Sequence, residues 1–377
     1  MENSQHLYVS IAAALRERIR SGHYVPGTLL PSQRELRDEF RVNRRTIARS
    51  VQCLQEEGVV QTRRGAGTVV VQAPAALRRN GRTGLVALVL AAPPEDRYSI
   101  PIARGCQRAL GDAQMTMTYG DTHSSSDVDS QQIERGELER VRELGVDGVI
   151  LWPRYGHTNS ALVAEISEQM PLVTVDRRAE EVHTHFVGID DYQLAYELVS
   201  QLAELGHKRI ACIQTTAQVT TVRDRVAGYC QAVWDAGLSL DPLDFVLEHR
   251  VEGHWQVSAE SVRELLHKPE PPTAAFCVND ALARSFCREL AFLESGIPEI
   301  PIATFGGLDT EGSSAIPGLV LAVQQPWEEI GRQAAGLVVR ALKSGKWDEP
   351  AAIIVATAIV SVQSENALQG GENDGKK

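Results

Sequence analysis

Apolar residues recur every four positions near the amino terminus, at Leu7, Ile11, Leu15 and Ile19, and charged residues fall between them. This spacing places the four side chains on one face of a helix, because an α-helix returns to the same face about every 3.6 residues. The pattern predicts a first helix over residues 7–21.

Two further helices are predicted in the next forty residues. Ser32 and Glu35 have the spacing of a capping box, in which each side chain bonds the backbone N–H of the other, so a helix should begin near Gln33. Asn43 is a good cap for the third helix, and Gly58 is a good residue to end it.

The third helix has two different faces. At 100° per residue, one side carries Ile47, Val51 and Leu54, and the opposite side carries Arg45, Arg49 and Gln52. Residues 59–71 then have the pattern of two short strands around a glycine-containing turn, which predicts a β-wing after a helix-turn-helix. Arginine and glutamine on a free helix face can bind base edges in the major groove, so double-stranded DNA is the expected partner; a protein-binding winged helix is the alternative.

The rest of the chain alternates short β-rich runs with helical patterns. The predicted strands are 84–91, 116–119, 148–152, 171–175, 187–189, 209–213, 245–247, 274–278 and 302–304. This alternation is typical of parallel sheets with right-handed crossovers, and the length suffices for two such sheets. The expected domains are 1–72 for the DNA-binding part, 73–83 for a linker, 84–362 for a two-lobe body and 363–377 for a flexible tail.

Polar and aromatic residues follow several of these predicted strands. They are Trp152 and Arg154, Asp176 and Arg177, Asp190 and Asp191, and Asn279 and Asp280. Ligands of open parallel sheets bind at the carboxyl ends of the strands, and carboxylate, amide, guanidinium and indole groups together suit a sugar. Alternatively, these residues cap the helices that follow. No glycine-rich phosphate loop follows the first strand of the body.

The charge distribution separates the two parts of the chain. The 377 residues carry a net charge of −11, which taken globally disfavours binding to phosphate. Residues 1–82 nevertheless contain 14 basic and 7 acidic residues, a balance of +7, and the remainder has a balance of −18. A basic end on an acidic body favours a nucleic-acid-binding module attached to a sensor.

Other classes of protein receive little support from the sequence. The six cysteines are scattered without a C-x-x-C pair, which is typical of reduced thiols in a cytoplasmic protein, and no stretch is apolar enough for a membrane span. His183-x-His185 has no third ligand at a regular spacing, so no metal and no cofactor are expected. Neither a nucleophile elbow nor a Walker loop occurs, so no enzymatic activity and no catalytic residue are expected.

Residues 7–71 resemble the DNA-binding domain of the GntR family of bacterial transcription regulators. The resemblance rests on Leu7-Tyr8, Pro26-Gly27, Leu30-Pro31-Ser32, Arg34-Glu35-Leu36, Val42-Asn43-Arg44, Glu57-Gly58 and Gly65-Ala66-Gly67-Thr68, among others. This resemblance and the free helix face and wing described above together imply a set of residues that contact DNA. They are Arg34, Arg44, Arg45, Thr46, Arg49, Arg63, Arg64, Gly65 and Gly67. Arg45 and Ala48 depart from the family pattern.

Residues 84–362 resemble the effector domain of LacI-type repressors and periplasmic sugar-binding proteins. The runs that carry the resemblance are 146–151, 171–177, 187–191, 205–211, 225–229 and 272–283. The resemblance implies two Rossmann-like lobes joined by three crossings, with the effector between them. The expected effector contacts are Trp152, Arg154, Asp176, Arg225, Trp255, Asn279, Asp309 and Gln325. Leu308 stands where the family usually has an aspartate that binds effector hydroxyls, and Asp309 is a possible substitute.

Together the two parts resemble the arabinose-repressor type within the GntR family. This resemblance implies a transcription regulator, expected to be a repressor and a homodimer, that binds operator DNA and a small effector, expected to be a carbohydrate. A sugar-binding protein or an enzyme with a winged helix that binds another protein is the alternative function.

Overall fold

The computed structural model describes residues 2–20, 23–24, 27–56, 59–63, 67–70, 82–91, 97–122, 127–154, 157–215, 219–239, 241, 244–251, 254–293, 300–308, 316–347 and 349–362. Within these ranges, no helix combines the length and the apolar character needed to cross a membrane.

The amino-terminal part is a helix-turn-helix with a two-stranded wing. Its elements are α1 (Glu2–Arg20), α2 (Gln33–Phe40), α3 (Arg44–Glu56), β1 (Val60–Arg63) and β2 (Gly67–Val70). The predicted capping box is confirmed, because the Ser32 N–H donates to Glu35 Oε2 at 2.7 Å and the Glu35 N–H donates to Ser32 Oγ at 3.3 Å. The first helix starts five residues earlier than its apolar spacing predicts.

The two faces predicted for α3 are also confirmed. Ile47, Val51 and Leu54 are buried with side chains of α1 and α2, whereas Arg45, Arg49 and Gln52 are exposed. Strands β1 and β2 pair antiparallel, with Val60 opposite Val70. The buried face of α3 therefore fixes the helix in the domain and leaves its arginines at the surface.

The body contains two sheets, each with its own helices, which we name the amino lobe and the carboxyl lobe. The chain first builds most of the amino lobe with β3 (Leu85–Leu90), α4 (Ser99–Asp112), β4 (Thr116–Asp121), α5 (Asp127–Leu144), β5 (Gly148–Leu151), α6 (Ser160–Gln169), β6 (Leu172–Val175) and β7 (His185–Gly188). Strands β5 and β6 are buried at every position, because helices cover parallel sheets on both faces.

The carboxyl lobe follows in the sequence. Its elements are α7 (Asp191–Glu204), β8 (Ile210–Gln214), α8 (Thr220–Asp235), β9 (Phe245–Val251), β10 (His254–Val257), α9 (Ala259–Leu266), β11 (Ala274–Cys277), α10 (Asp280–Phe292), β12 (Ile302–Phe305) and β13 (Leu319–Val323). The chain then adds α11 (Trp327–Ser344) and β14 (Ala352–Ile354) to the amino lobe and β15 (Ile359–Ser361) to the carboxyl lobe.

The strand orders confirm three crossings between the lobes. The amino-lobe sheet has the order β14-β7-β6-β5-β3-β4, and the carboxyl-lobe sheet has the order β10-β9-β8-β11-β12-β13-β15. The crossings therefore lie at residues 189–190, 324–326 and 355–358.

The carboxyl-lobe sheet is mixed, whereas the sequence predicts parallel sheets. Strand β10 pairs antiparallel with β9, and β15 pairs antiparallel with β13. Both are edge strands. Strand β10 follows β9 after a short turn, which needs no helical crossover, whereas β15 is added when the chain returns from the amino lobe. The sequence prediction missed β10, β13, β14 and β15; β14 and β15 have three residues each.

Helices α4 and α11 cross in very close contact in the amino lobe. A Cβ atom at Gly105 would lie 1.9 Å from the Glu328 carbonyl oxygen, and one at Gly331 would lie 2.1 Å from the Ile102 carbonyl oxygen. The thiol of Cys106 donates to the Gly331 carbonyl oxygen at 3.3 Å at the same crossing. Backbone therefore packs on backbone here, and only glycine fits.

We expect Gly331→Ala to lower the free energy of unfolding by about 1–3 kcal/mol, because the added methyl group meets backbone that cannot move aside locally. The measurement is urea or thermal unfolding of the full chain.

Gly336→Ala on the same helix is the matched control. The nearest atom to a Cβ there is Arg340 Nη1 at 3.3 Å, the end of a flexible side chain. Since alanine favours a helix by up to about 1 kcal/mol over glycine, this variant should be neutral or more stable. Equal losses from both variants would contradict the close crossing.

Candidate functional site

An indole and a carboxylate meet at the carboxyl ends of two neighbouring amino-lobe strands. Trp152 follows β5, Asp176 follows β6, and the Trp152 Nε1–H donates to Asp176 Oδ2 at 3.0 Å. Asp176 is 7% exposed and has a φ of +60°, a left-handed conformation that aspartate and asparagine tolerate better than most residues. The structure therefore brings together two of the residues expected to contact the effector, and those contacts stay predictions.

Two arginines surround this pair. Arg177 Nη1 donates to the Arg154 carbonyl oxygen at 3.0 Å, and the Arg177 Cζ lies 5.5 Å from the centre of the Trp152 ring. Arg154 Nη1 in turn donates to the Ala91 carbonyl oxygen at 3.1 Å, at the end of β3. The strand ends and the guanidinium groups thus form one connected surface.

The carboxyl lobe contributes a buried arginine, Arg225 of α8. Its Nε donates to Asp191 Oδ1 at 2.7 Å, its Nη1 donates to the Val278 carbonyl oxygen at 2.7 Å, and its Cζ lies 3.9 Å from the centre of the Phe305 ring. Arg225 is 6% exposed, so these partners replace the water that it loses.

The electrostatics connect the two lobes. Burial raises the pKa of the Asp176 carboxyl, and the positive charges of Arg177 and Arg225 oppose the rise. Burial likewise raises the pKa of Asp191 to about 7 against the opposing charge of Arg225. The charge of Arg225 therefore acts on a carboxylate of each lobe.

Four other residues were expected to contact the effector, and the side chains of two of them, Asn279 and Gln325, are described by the structure. Asn279 caps α10, because its Oδ1 accepts the Leu282 N–H at 2.9 Å, so the alternative capping role holds at this position. A Cβ atom at Gly306 would lie 3.5 Å from Gln325 Oε1 and 3.4 Å from Asp280 Cγ, so Gln325 borders the end of β12 and the start of α10. Asp309 and the Trp255 side chain lie outside the described residues.

The sequence reasoning missed a buried carboxylate that supports this surface. Glu134 of α5 is 1% exposed; its Oε2 accepts the Arg154 N–H at 2.5 Å, and its Oε1 accepts from Asn159 Nδ2 at 2.7 Å. Burial raises the pKa of Glu134, and these two hydrogen bonds oppose the rise. Nothing in the sequence distinguishes Glu134 from the other charged residues of α5, since its partners lie 20 and 25 positions away.

Two further aromatic residues were missed. The Trp327 ring centre lies 5.5 Å from that of Trp152 and 5.3 Å from that of Tyr98. Trp327 begins α11 immediately after the second crossing, and this position beside Gln325 is the signal that could have found it. Aromatic faces next to paired carboxylates and guanidinium groups can bind a ligand that is both apolar on its C–H face and rich in hydroxyls.

One histidine of the predicted pair has a structural partner. His185 is buried, and its Nδ1 accepts the Ala351 N–H at 2.9 Å, so this side chain joins β7 to the chain before β14. In the part of the chain that the structure describes, no three histidine, cysteine, aspartate or glutamate side chains are grouped to hold a metal ion.

The predicted DNA-contacting residues lie on α2, α3 and the wing. Arg34, Arg44 and Arg45 are exposed. Arg49 Cζ lies 4.5 Å from the centre of the Tyr8 ring, and the Thr46 hydroxyl donates to Asn43 Oδ1 at 2.9 Å, so both side chains also support the domain. Gly67 has a φ of +93°. Arg64, Gly65 and the Arg63 side chain lie outside the described residues, and all these DNA contacts stay predictions.

Two known families match the chain. Residues 7–70 match the bacterial regulatory proteins of the gntR family, and residues 83–359 match the periplasmic binding proteins and sugar binding domain of the LacI family. The second match covers most of the chain.

The relatives include proteins named as repressors. The arabinose metabolism transcriptional repressor of Geobacillus stearothermophilus is 25% identical over 361 residues, covering 94% of this chain and 96% of that protein. The ribose operon repressor of Escherichia coli K12 is 28% identical over 273 residues, covering 71% of this chain and 79% of that protein. These named relatives are transcriptional regulators.

Solved structures share the fold. A LacI family transcriptional regulator from Mycobacterium smegmatis superposes with a TM-score of 0.59 at 22% identity, covering 74% of this chain and 97% of the other. The complex of the transcriptional regulator CelR with cellobiose gives a TM-score of 0.62 at 21% identity, covering 84% of this chain and 89% of the other.

We expect Asp191 to make stability depend on pH. Its pKa of about 7 lies above the ordinary value of 3.8, so the folded chain holds this proton more tightly than the unfolded chain does. That contribution is complete below about pH 4 and is lost as the pH rises through 7. Between pH 5 and 8, the free energy of unfolding should therefore fall by about 1–4 kcal/mol more for the wild type than for Asp191→Asn. Calorimetry at each pH measures this difference, and parallel pH profiles would contradict the assignment.

Proposed function

The chain belongs to the family of periplasmic binding proteins and LacI-type sugar-binding domains, and from this membership we propose that it is a transcriptional repressor controlled by a sugar. Its amino-terminal domain binds operator DNA, and its two lobes bind the sugar in the cleft between them. The observation that carries the proposal is that each lobe presents a buried polar pair at its strand ends, Trp152 with Asp176 in one lobe and Arg225 with Asp191 in the other. A ligand bound between these pairs contacts both lobes at once.

The chemistry of the cleft favours an uncharged sugar. Buried carboxylates face arginines across short distances: Asp191 Oδ1 lies 2.7 Å from Arg225 Nε, and Asp176 Oδ2 lies 3.7 Å from Arg177 Nε. Each of these two arginines lies beside a carboxyl group, whose oxygens can bind hydroxyl groups and, when ionised, would repel a phosphate. Trp152 and Trp327 supply aromatic surface for the C–H face of a sugar ring. The relatives named for arabinose and ribose suggest that the sugar is a pentose.

The surface of the amino-terminal domain suits the major groove. Arg34 on α2 and Arg44 and Arg45 on α3 are exposed. Arginine matches the O6 and N7 acceptors of guanine, and a second copy of the chain would place another α3 about one DNA turn away. We propose a homodimer that reads a pseudo-palindromic operator, with the wing at Gly67 approaching the minor groove. The proposal includes no catalytic step.

Allosteric control follows if the two lobes move relative to each other. A sugar that binds the closed cleft more tightly than the open one shifts the population of lobe arrangements. The operator and the sugar then each prefer one arrangement of the same dimer. Binding of one therefore changes the affinity of the dimer for the other. Measuring DNA affinity with and without the sugar shows whether the sugar weakens or strengthens operator binding.

We expect a neutral pentose to stabilise the full chain and to change its affinity for DNA. With L-arabinose, D-ribose, cellobiose and ribose 5-phosphate as probes, a sugar at about 100 times its Kd should add about 2.7 kcal/mol and raise the midpoint of thermal unfolding by several degrees. The DNA probe is a site selected from random double-stranded DNA by the full chain. The sugar that stabilises the chain should change the affinity for this site several-fold. A stabilising sugar without any effect on DNA binding would contradict the allosteric mechanism.

Two substitutions should separate the two binding activities. Asp176→Asn removes the charge but retains an acceptor for the Trp152 N–H and a residue that tolerates the left-handed backbone, so it should abolish the thermal shift and leave DNA affinity intact. Arg34→Ala should weaken DNA binding about tenfold or more and leave the thermal shift intact. If each substitution damages both activities equally, the assignment of the two sites is wrong.

A further inference from the structure

A buried carboxylate of the carboxyl lobe is held by side chains of the amino lobe. Asp280, the first residue of α10, is 1% exposed. The Tyr98 hydroxyl donates to its Oδ1, and Arg97 Nη1 lies 2.9 Å from its Oδ2. Arg97 and Tyr98 immediately precede α4, which packs on α11 in the amino lobe. The contact therefore joins the two lobes directly, apart from the three crossings of the chain.

Both sides of this contact are anchored. The Tyr98 ring lies 5.3 Å from Trp327, whose ring lies 5.5 Å from Trp152, so Tyr98 belongs to the aromatic cluster of the amino lobe. Asp280 lies beside the Gly306-Gly307 turn after β12, and Arg284 Nη2 on the next turn of α10 lies 3.9 Å from its Oδ2. Opening the cleft would thus separate groups that are each held firmly in their own lobe.

A second ion pair crosses between the lobes and provides a comparison. Arg223 of α8 lies with its Nη1 2.9 Å from Glu180 Oε1, which follows β6 in the amino lobe, and the two side chains are 64% and 30% exposed. Exposed pairs contribute little to stability because water screens them. A carboxylate as buried as Asp280, in contrast, is strongly disfavoured when its partners are removed. The two pairs have the same N–O distance, but the Arg97 and Asp280 side chains are only 34% and 1% exposed.

We propose that Arg97 and Tyr98 are cleft-closing residues, which hold the lobes together through Asp280 before any ligand binds. They set the fraction of molecules with a closed cleft. Because the apparent affinity of a ligand scales with the fraction of protein in the binding-competent form, these residues determine effector affinity without needing to contact the effector. The strength of closure is thus a separate property of the chain from the recognition of the sugar.

Hydrogen–deuterium exchange of the full chain, without ligand or DNA, tests this proposal. Arg97→Gln removes the charge with little change in length, and Tyr98→Phe removes only the hydroxyl and keeps the aromatic ring beside Trp327. Both variants should increase amide exchange several-fold in peptides on both sides of the cleft, at residues 149–154 and 278–283. Arg223→Gln is the matched control and should leave these peptides unchanged.

Some outcomes would overturn the proposal. One is equal exchange in Arg97→Gln and Arg223→Gln; another is an increase confined to the peptide that contains residue 97. A cycle with Tyr98→Phe and Asp280→Asn adds a second criterion, because the effects of two residues in contact should not add. If Asp280→Asn does not fold, Arg97→Gln and Tyr98→Phe decide the question. None of these measurements depends on a sugar or an operator, so the proposed function can fail while this proposal holds.

Discussion

The buried guanidinium of Arg225 is the interaction on which the arrangement of the cleft depends. A charged group that is 6% exposed needs partners for its N–H groups, and Arg225 finds them in Asp191 at the first crossing, the Val278 carbonyl at the end of β11 and the Phe305 ring at the end of β12. Three segments that are far apart in the sequence are thereby held at one point. The same charge opposes the rise in the pKa of Asp176 in the other lobe, so the two halves of the cleft are linked electrostatically as well as through the chain.

The parts of the fold that the sequence predicted are those set by local chemistry. Ser32 and Glu35 form a capping box within four residues, and the arginines of α3 follow from its periodicity. The central strands were recognisable because they are buried throughout and therefore apolar. Strand β14 was not, since it pairs with β7 through contacts more than 160 positions apart and is mostly exposed. Its three residues carry no local pattern.

The residues of the candidate site likewise include some that the sequence predicted and some that it did not. Trp152, Asp176 and Arg225 were predicted from their positions after strands or from the resemblance, and the structure brings them to one cleft. Glu134 was not predicted, because its role arises only when α5 lies behind the loop that carries Arg154 and Asn159. Asn279 was predicted to contact the effector, and this stays a prediction; the structure shows its Oδ1 capping α10, a role that any asparagine after a strand can have. Residue type and position predict where a polar group lies, whereas its partner depends on tertiary packing.

The crossing of α4 and α11 determines when the amino lobe can be completed. Cys106 and Gly331, which meet there, are separated by 225 positions, and the carboxyl lobe is encoded almost entirely between them. On the ribosome, the amino-lobe sheet therefore emerges long before α11, the helix that covers it. Its apolar surface stays exposed until the last part of the chain is synthesised. The carboxyl lobe lacks only its edge strand β15 at that stage. During synthesis, the carboxyl lobe can thus be nearly complete before the amino lobe, which precedes it in sequence. The uncovered amino-lobe sheet is the apolar surface that a chaperone would bind.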